Sequence, residues 1–101
     1  PAHQALRMAT RWGAEALAMD ERRGQLAPGF DADMVSISLA GLEAQPVHHP
    51  EAQLAYSLND SAVRHCWIAG KPVLEDGNLT TLDEADLLRR AERWKHRMGA
   101  A

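Results

Sequence analysis

Apolar positions recur at helical spacing at the start of the chain. Ala5, Leu6, Ala9 and Leu17 fall on one face of residues 1–19. Pro1 suits a first turn, where a missing N–H costs nothing. Gly13 interrupts the pattern, and Thr10 stands where it could cap a second piece. The spacing predicts either two helical pieces with a bend or one helix with a close contact at Gly13. Residues 20–31 are polar and rich in turn formers. Pro28-Gly29 fits a type II turn, since Pro fixes φ and Gly accepts a positive one. From Met34 to Leu39 the pattern changes to alternation. Val35, Ile37 and Leu39 share one face with Ser36 and Ser38 on the other, which predicts a strand with one buried side.

Residues 40–50 read as a loop. Glu51–Ser57 reads as a short helix with Pro50 in its first turn, and Asn59-Asp60-Ser61 ends it. Val63–Ile68 and Lys71–Glu75 are strand-forming runs joined by Ala69-Gly70, a hairpin signature. Asp76-Gly77-Asn78 is a further turn. The last element is a helix. Thr81 and Glu84 have capping-box spacing. Asp83, Glu84 and Asp86 lie near its start, and Arg89, Arg90, Arg93, Lys95 and Arg97 toward its end, as the helix dipole favours. Leu87, Leu88, Ala91, Trp94 and Met98 make its apolar stripe. The strand count reaches four only with a short strand at Gln25-Leu26. So small a sheet has open edges and a half-covered face, which points to strands supplied from elsewhere in a parent chain.

Composition narrows the class. The chain has 101 residues, a net charge of -3 and one cysteine, Cys66. Cations are spread among acids, so nucleic acid is not an expected partner. No apolar run reaches the ~20 residues of a membrane span. One cysteine excludes an internal disulfide and a multi-cysteine zinc site, and a reducing cytoplasm is the default compartment. The chain opens on Pro1 rather than Met, and a missing natural start is expected. Association with itself stays open.

Candidate chemistry is sparse. His48-His49 is a tempting pair, but adjacent side chains diverge and no third ligand follows at a zinc spacing, so a solvated loop is the expectation. His65 and Cys66 are neighbours in a strand and point to opposite faces, which argues against a nucleophile–base pair. His3 and His96 are isolated on helices. Asp31 and Asp33 flank Ala32 before a strand, where carboxylates commonly hold turns through backbone N–H groups. Asp83, Glu84 and Asp86 are helix-start acids. Trp12, Trp67 and Trp94 sit on three elements and read as core or interface anchors. No phosphate loop, dinucleotide fingerprint or nucleophile elbow occurs. No residue of this chain is assigned a catalytic, cofactor-binding or metal-binding role.

Residues 24–35, Gly-Gln-Leu-Ala-Pro-Gly-Phe-Asp-Ala-Asp-Met-Val, resemble a segment of the metal-dependent amidohydrolases. Ala5–Thr10 and Gly13–Leu17 resemble the last barrel helices of that superfamily, and Val63–Val73 its C-terminal hairpin. Gln45–Pro50, Gln53-Leu54 and Tyr56-Ser57 resemble the branch holding 5-methylthioadenosine/S-adenosylhomocysteine deaminases and triazine chlorohydrolases. The resemblance implies an α+β fragment: the last helices of a (β/α)8 barrel at 1–19, the C-terminal strands of a composite β-sandwich with a short helix at 20–81, and a C-terminal helix at 82–101. It implies a parent enzyme that holds zinc or iron and hydrolytically deaminates a purine-type substrate. It places every metal ligand upstream, so this chain alone is expected to be inactive, with the remainder of the parent as its partner. Guanine, cytosine or triazine substrates, or a non-catalytic interaction module, are the alternatives. The resemblance matches Gly24, Pro28, Gly29 and Asp33 to the turn that enters the sandwich. It matches Ala69-Gly70 to a hairpin turn that is usually Asn-Gly. Ala accepts positive φ poorly, so another turn type is expected there. At Trp12 the family often carries Asn or Gly.

Overall fold

The computed structural model describes residues 1–99. Ala100 and Ala101, inside the expected terminal segment, lie outside the described residues. The N-terminal stretch forms two helices, α1 (Ala2–Ala9) and α2 (Arg11–Ala16). Of the two alternatives around Gly13, two pieces with a bend occurs, and a close contact at Gly13 accompanies it. The chain bends at Thr10, and a Cβ on Gly13 would meet the Met8 carbonyl oxygen at 3.1 Å. Thr10 does not cap α2 with its side chain. Its hydroxyl donates back to the Leu6 carbonyl at 2.7 Å, completing the end of α1 instead.

The sheet has four antiparallel strands in chain order: β1 (Met34–Ile37), β2 (Val63–Ile68), β3 (Lys71–Glu75) and β4 (Asn78–Leu79). Gln25-Leu26 is not a strand. Residues 20–31 stay in turns, closed where the Asp31 N–H donates to the Arg22 carbonyl at 2.7 Å. The fourth strand lies beyond Asp76-Gly77, a two-residue turn with φ of 47° and 81°. β1 pairs Val35 with Cys66 and Ser36 with His65, and a bulge follows Ser36. That bulge ends the alternation predicted through Leu39. Val35, expected to face a core, is 52% exposed.

The Pro28-Gly29 turn forms as predicted. The Phe30 N–H donates to the Ala27 carbonyl at 3.1 Å, and Gly29 has φ 85°. The Ala69-Gly70 turn does not change type to suit Ala. Ala69 has φ 51° and Gly70 φ 78°, both in the left-handed region. The cost is offset from outside the hairpin: Asp33 Oδ1 accepts the Ala69 N–H at 2.7 Å, and the Ala32 carbonyl accepts the Gly70 N–H at 3.0 Å.

The loop after β1 leads into α3 (Pro50–Ala52), which continues as one wider helical turn over Gln53–Ser57. Gln45 Nε2 donates to the Leu39 carbonyl at 2.8 Å, and Gln53 Nε2 donates to the Ala44 carbonyl. Ala44 and Ala62 beside this loop are the buried apolar residues among those described. The final helix, α4 (Glu84–Arg97), starts later than the capping-box spacing implied. Its cap is Asp83, whose Oδ1 accepts the Asp86 N–H at 3.1 Å. Glu84 reaches back to the Leu79 N–H at 3.0 Å rather than to Thr81. The Leu88, Trp94 and Met98 side chains of its stripe remain exposed.

The shape follows from this thin core. The radius of gyration is 17.4 Å, against about 13 Å for a compact chain of this length. The accessible surface is 7863 Å², while a folded monomer of this mass shows about 5,700 Å².

Candidate functional site

The most connected polar cluster lies where the turn-rich segment meets the sheet. Arg22 Nη2 donates to Asp31 Oδ1 at 3.0 Å, and Arg23 Nε to Asp31 Oδ2 at 3.2 Å. Arg23 Nε also lies 3.3 Å from Asp33 Oδ2, while the other oxygen of Asp33 holds the Ala69 N–H. One arginine thus ties both carboxylates together, and through Asp33 ties the turn segment to the β2–β3 hairpin. The Arg23 hydrogen bond holds the Asp31 carboxyl below its ordinary value. Partial burial pushes the other way, and Arg22 adds to the lowering. Paired in this way, both oxygens of each aspartate accept from Arg22, Arg23 or the Ala69 N–H, and the two carboxylates act as structural acceptors. The sequence reading placed the aspartates and missed the arginines. The signal was Arg22-Arg23 at the mouth of a turn that returns at Asp31.

Above this cluster runs an open groove of about 770 Å³ between the two N-terminal helices and the sheet. Leu17, Leu26, Val35, Trp67 and Ile68 line it. Leu17 is 69% exposed and Leu26 77%, so its walls are largely uncovered. Gly24 brings the turn segment onto α2. It has φ 101°, and a Cβ there would meet the Ala14 Cβ at 2.8 Å. Only glycine fits that approach.

The other candidate residues do not converge. His48 and His49 are both exposed in the loop. His3 lies 3.9 Å from Glu51, and His96 lies 3.5 Å from Glu92 on its own helix. His65 stacks on Trp67 with ring centroids 5.8 Å apart, while Cys66 lies on the alternate face of β2 as a free, half-buried thiol. Trp12 and Trp94 are 43% and 56% exposed. Trp94 carries the Arg97 guanidinium 5.0 Å above its ring. Among the described residues, no three of His, Cys, Asp and Glu are grouped so that they could hold a metal ion.

A family model described as the amidohydrolase family matches residues 1–74. The chain belongs to the amidohydrolase family. Within it, the chain is 37% identical over 99 residues to a 5-methylthioadenosine/S-adenosylhomocysteine deaminase of Teredinibacter turnerae. That match covers 98% of this amidohydrolase chain and 22% of the relative. An adenosine deaminase structure from Xanthomonas campestris, with bound zinc, superposes on all of the chain with a TM-score of 0.89 and 40% identity. The chain covers 23% of it. The zinc complex of an atrazine chlorohydrolase from Arthrobacter aurescens superposes with a TM-score of 0.81 at 26% identity, over 91% of this chain and 20% of that one. The amidohydrolase chain therefore falls in the branch that holds these deaminases and triazine chlorohydrolases. It spans about a fifth of the length of these relatives. Its own side chains do not fit the zinc that these neighbours carry: the carboxylates nearest one another are taken by Arg22, Arg23 and Ala69, and the histidines are apart.

Proposed function

We propose that this chain is the C-terminal structural segment of a metal-dependent aminohydrolase that deaminates an adenosine-type nucleoside, methylthioadenosine or S-adenosylhomocysteine. Alone, it is inactive. In this reading residues 1–19 are the last helices of a (β/α)8 barrel, 20–81 complete a composite β-sandwich, and 82–101 close the chain. The zinc or iron that activates water is held by donors outside these residues, and the assembled enzyme works in the cytoplasm.

The observation that carries the reading is uncovered apolar surface on a chain that matches a fifth of a known enzyme. The total accessible surface, polar and apolar together, exceeds that of a compact monomer by about 2,200 Å², more than twice the ~800 Å² each partner contributes to an ordinary interface. That amount suits a permanent partner, such as the rest of one polypeptide. It speaks against an independent interaction module, whose free form must be soluble with its binding face open. The adenosine-type substrate is preferred over a triazine because identity is 37–40% to the deaminases and 26% to the chlorohydrolase.

The test uses the intact, metal-loaded protein with three substrates. Ammonia released from methylthioadenosine and S-adenosylhomocysteine, with no chloride released from atrazine, is the expected result. Turnover of atrazine with no nucleoside deamination would move the protein to the other side of its branch.

A further inference from the structure

The β3–β4 turn is held by a titratable acceptor. Asp76 adopts φ 47°, a left-handed conformation open to Asp ahead of most non-glycine residues and held here by local bonds. Four bonds hold it. Arg64 Nη2 donates to the Asp76 carbonyl at 2.7 Å and to Asp76 Oδ1 at 2.8 Å. The Arg64 carbonyl accepts the Gly77 N–H at 2.9 Å. The Asp76 N–H donates to Nδ1 of His65 at 3.3 Å. Only the last depends on a group that changes charge between pH 5 and 8.

Accepting that bond requires a bare Nδ1, so the ring proton sits on Nε2. The ring is fixed by its stack on Trp67, at 5.8 Å and 21°. We propose that His65 is a pH-sensitive latch: a proton arriving at Nδ1 turns the acceptor into a donor and releases the Asp76 amide. The step forms one N–H bond at Nδ1 with a proton from solvent, and no bond between heavy atoms changes. The freed turn leads through β4 to Leu79, whose N–H holds Glu84 at the start of α4, so the latch acts at the root of the last helix. The groups around the ring set its response. The Asp76 carboxylate is shared with Arg64, whose hydrogen bond holds that carboxyl below its ordinary value. Cys66 is its neutral neighbour on β2, and Glu75 precedes the turn on β3. From β1 the residue in register is Ser36, which carries no charge.

Amide exchange on the intact, nitrogen-15-labelled protein tests this between pH 8 and 5, with protection corrected for the intrinsic rate at each pH. Protection of the Asp76 amide should fall by about fivefold, the worth of one hydrogen bond, with the same midpoint as the His65 ring signals. His65→Asn keeps an acceptor at the δ position without titrating, and should hold protection flat across the range. His65→Ala should show the low value throughout. Protection that persists while the His65 ring titrates overturns the proposal, as does an equal fall in His65→Asn. Neither outcome depends on the parent enzyme's activity, so failure here leaves the proposed function standing.

Discussion

At the scale of single residues, two backbone positions answer to opposite substitutions. Gly24 has no room for a side chain and sits at φ 101° against α2. Gly24→Ala is expected to cost about 2–3 kcal/mol, from the clash and the strained φ together, read as a lower midpoint in urea. Ala69 is the reverse case. It holds φ 51° where glycine would be unstrained, so Ala69→Gly should stabilise the hairpin by about 1 kcal/mol in the same measurement. The Asp31 carboxyl gives a pH prediction of definite sign. Its pKa in the folded chain is lowered by Arg23 and then Arg22, so its contribution is present above the ordinary carboxylate range and is lost as the pH falls through the folded value. Circular dichroism during acidification should show the native chain losing structure below about pH 4, with Asp31→Asn already weakened at neutral pH and less sensitive to acid. The carboxylates were visible in the sequence, but their partners were not. Arg22 and Arg23 lie eight or nine positions away, across a turn whose closure no local pattern announces.

At the scale of elements, α4 separates two readings of one helix start. Asp83 caps it, and Thr81 takes no part. Asp83→Ala should cost about 1 kcal/mol of stability, and Thr81→Ala should cost little, compared by thermal melts of the two variants. Period and turn chemistry were enough to read α1, α2, the Pro28-Gly29 turn and the β2–β3 hairpin. They failed where a short element leaves no period. β4 is two residues long, so Asn78-Leu79 reads as the end of a turn, while Gln25-Leu26, set between Gly24 and Ala27-Pro28, forms no strand. The alternation at Val35 was genuine, yet alternation marks a face meant for burial and does not say which chain buries it.

At the scale of the whole molecule, that uncovered face is the main physical fact. Leu26, Val35 and Ile68 border the groove, and Leu88, Trp94 and Met98 lie along α4 and at its end, all exposed on a chain with two buried alanines among the described residues. Membership of the amidohydrolase family was readable from residues 24–35 and 63–73 because turn geometry and a hairpin demand particular residues there. The substrate was not readable, since among the described residues no group of His, Cys, Asp and Glu is placed to hold a metal ion that could activate one. The most direct measurement is ammonia release from methylthioadenosine, with zinc, by three samples: this chain, the upstream part that the proposed function assigns to its parent, produced separately, and the two mixed. Deamination in the mixture alone is the predicted result. Deamination by the 101-residue chain unaided, or equal deamination by the upstream part without it, would contradict the account.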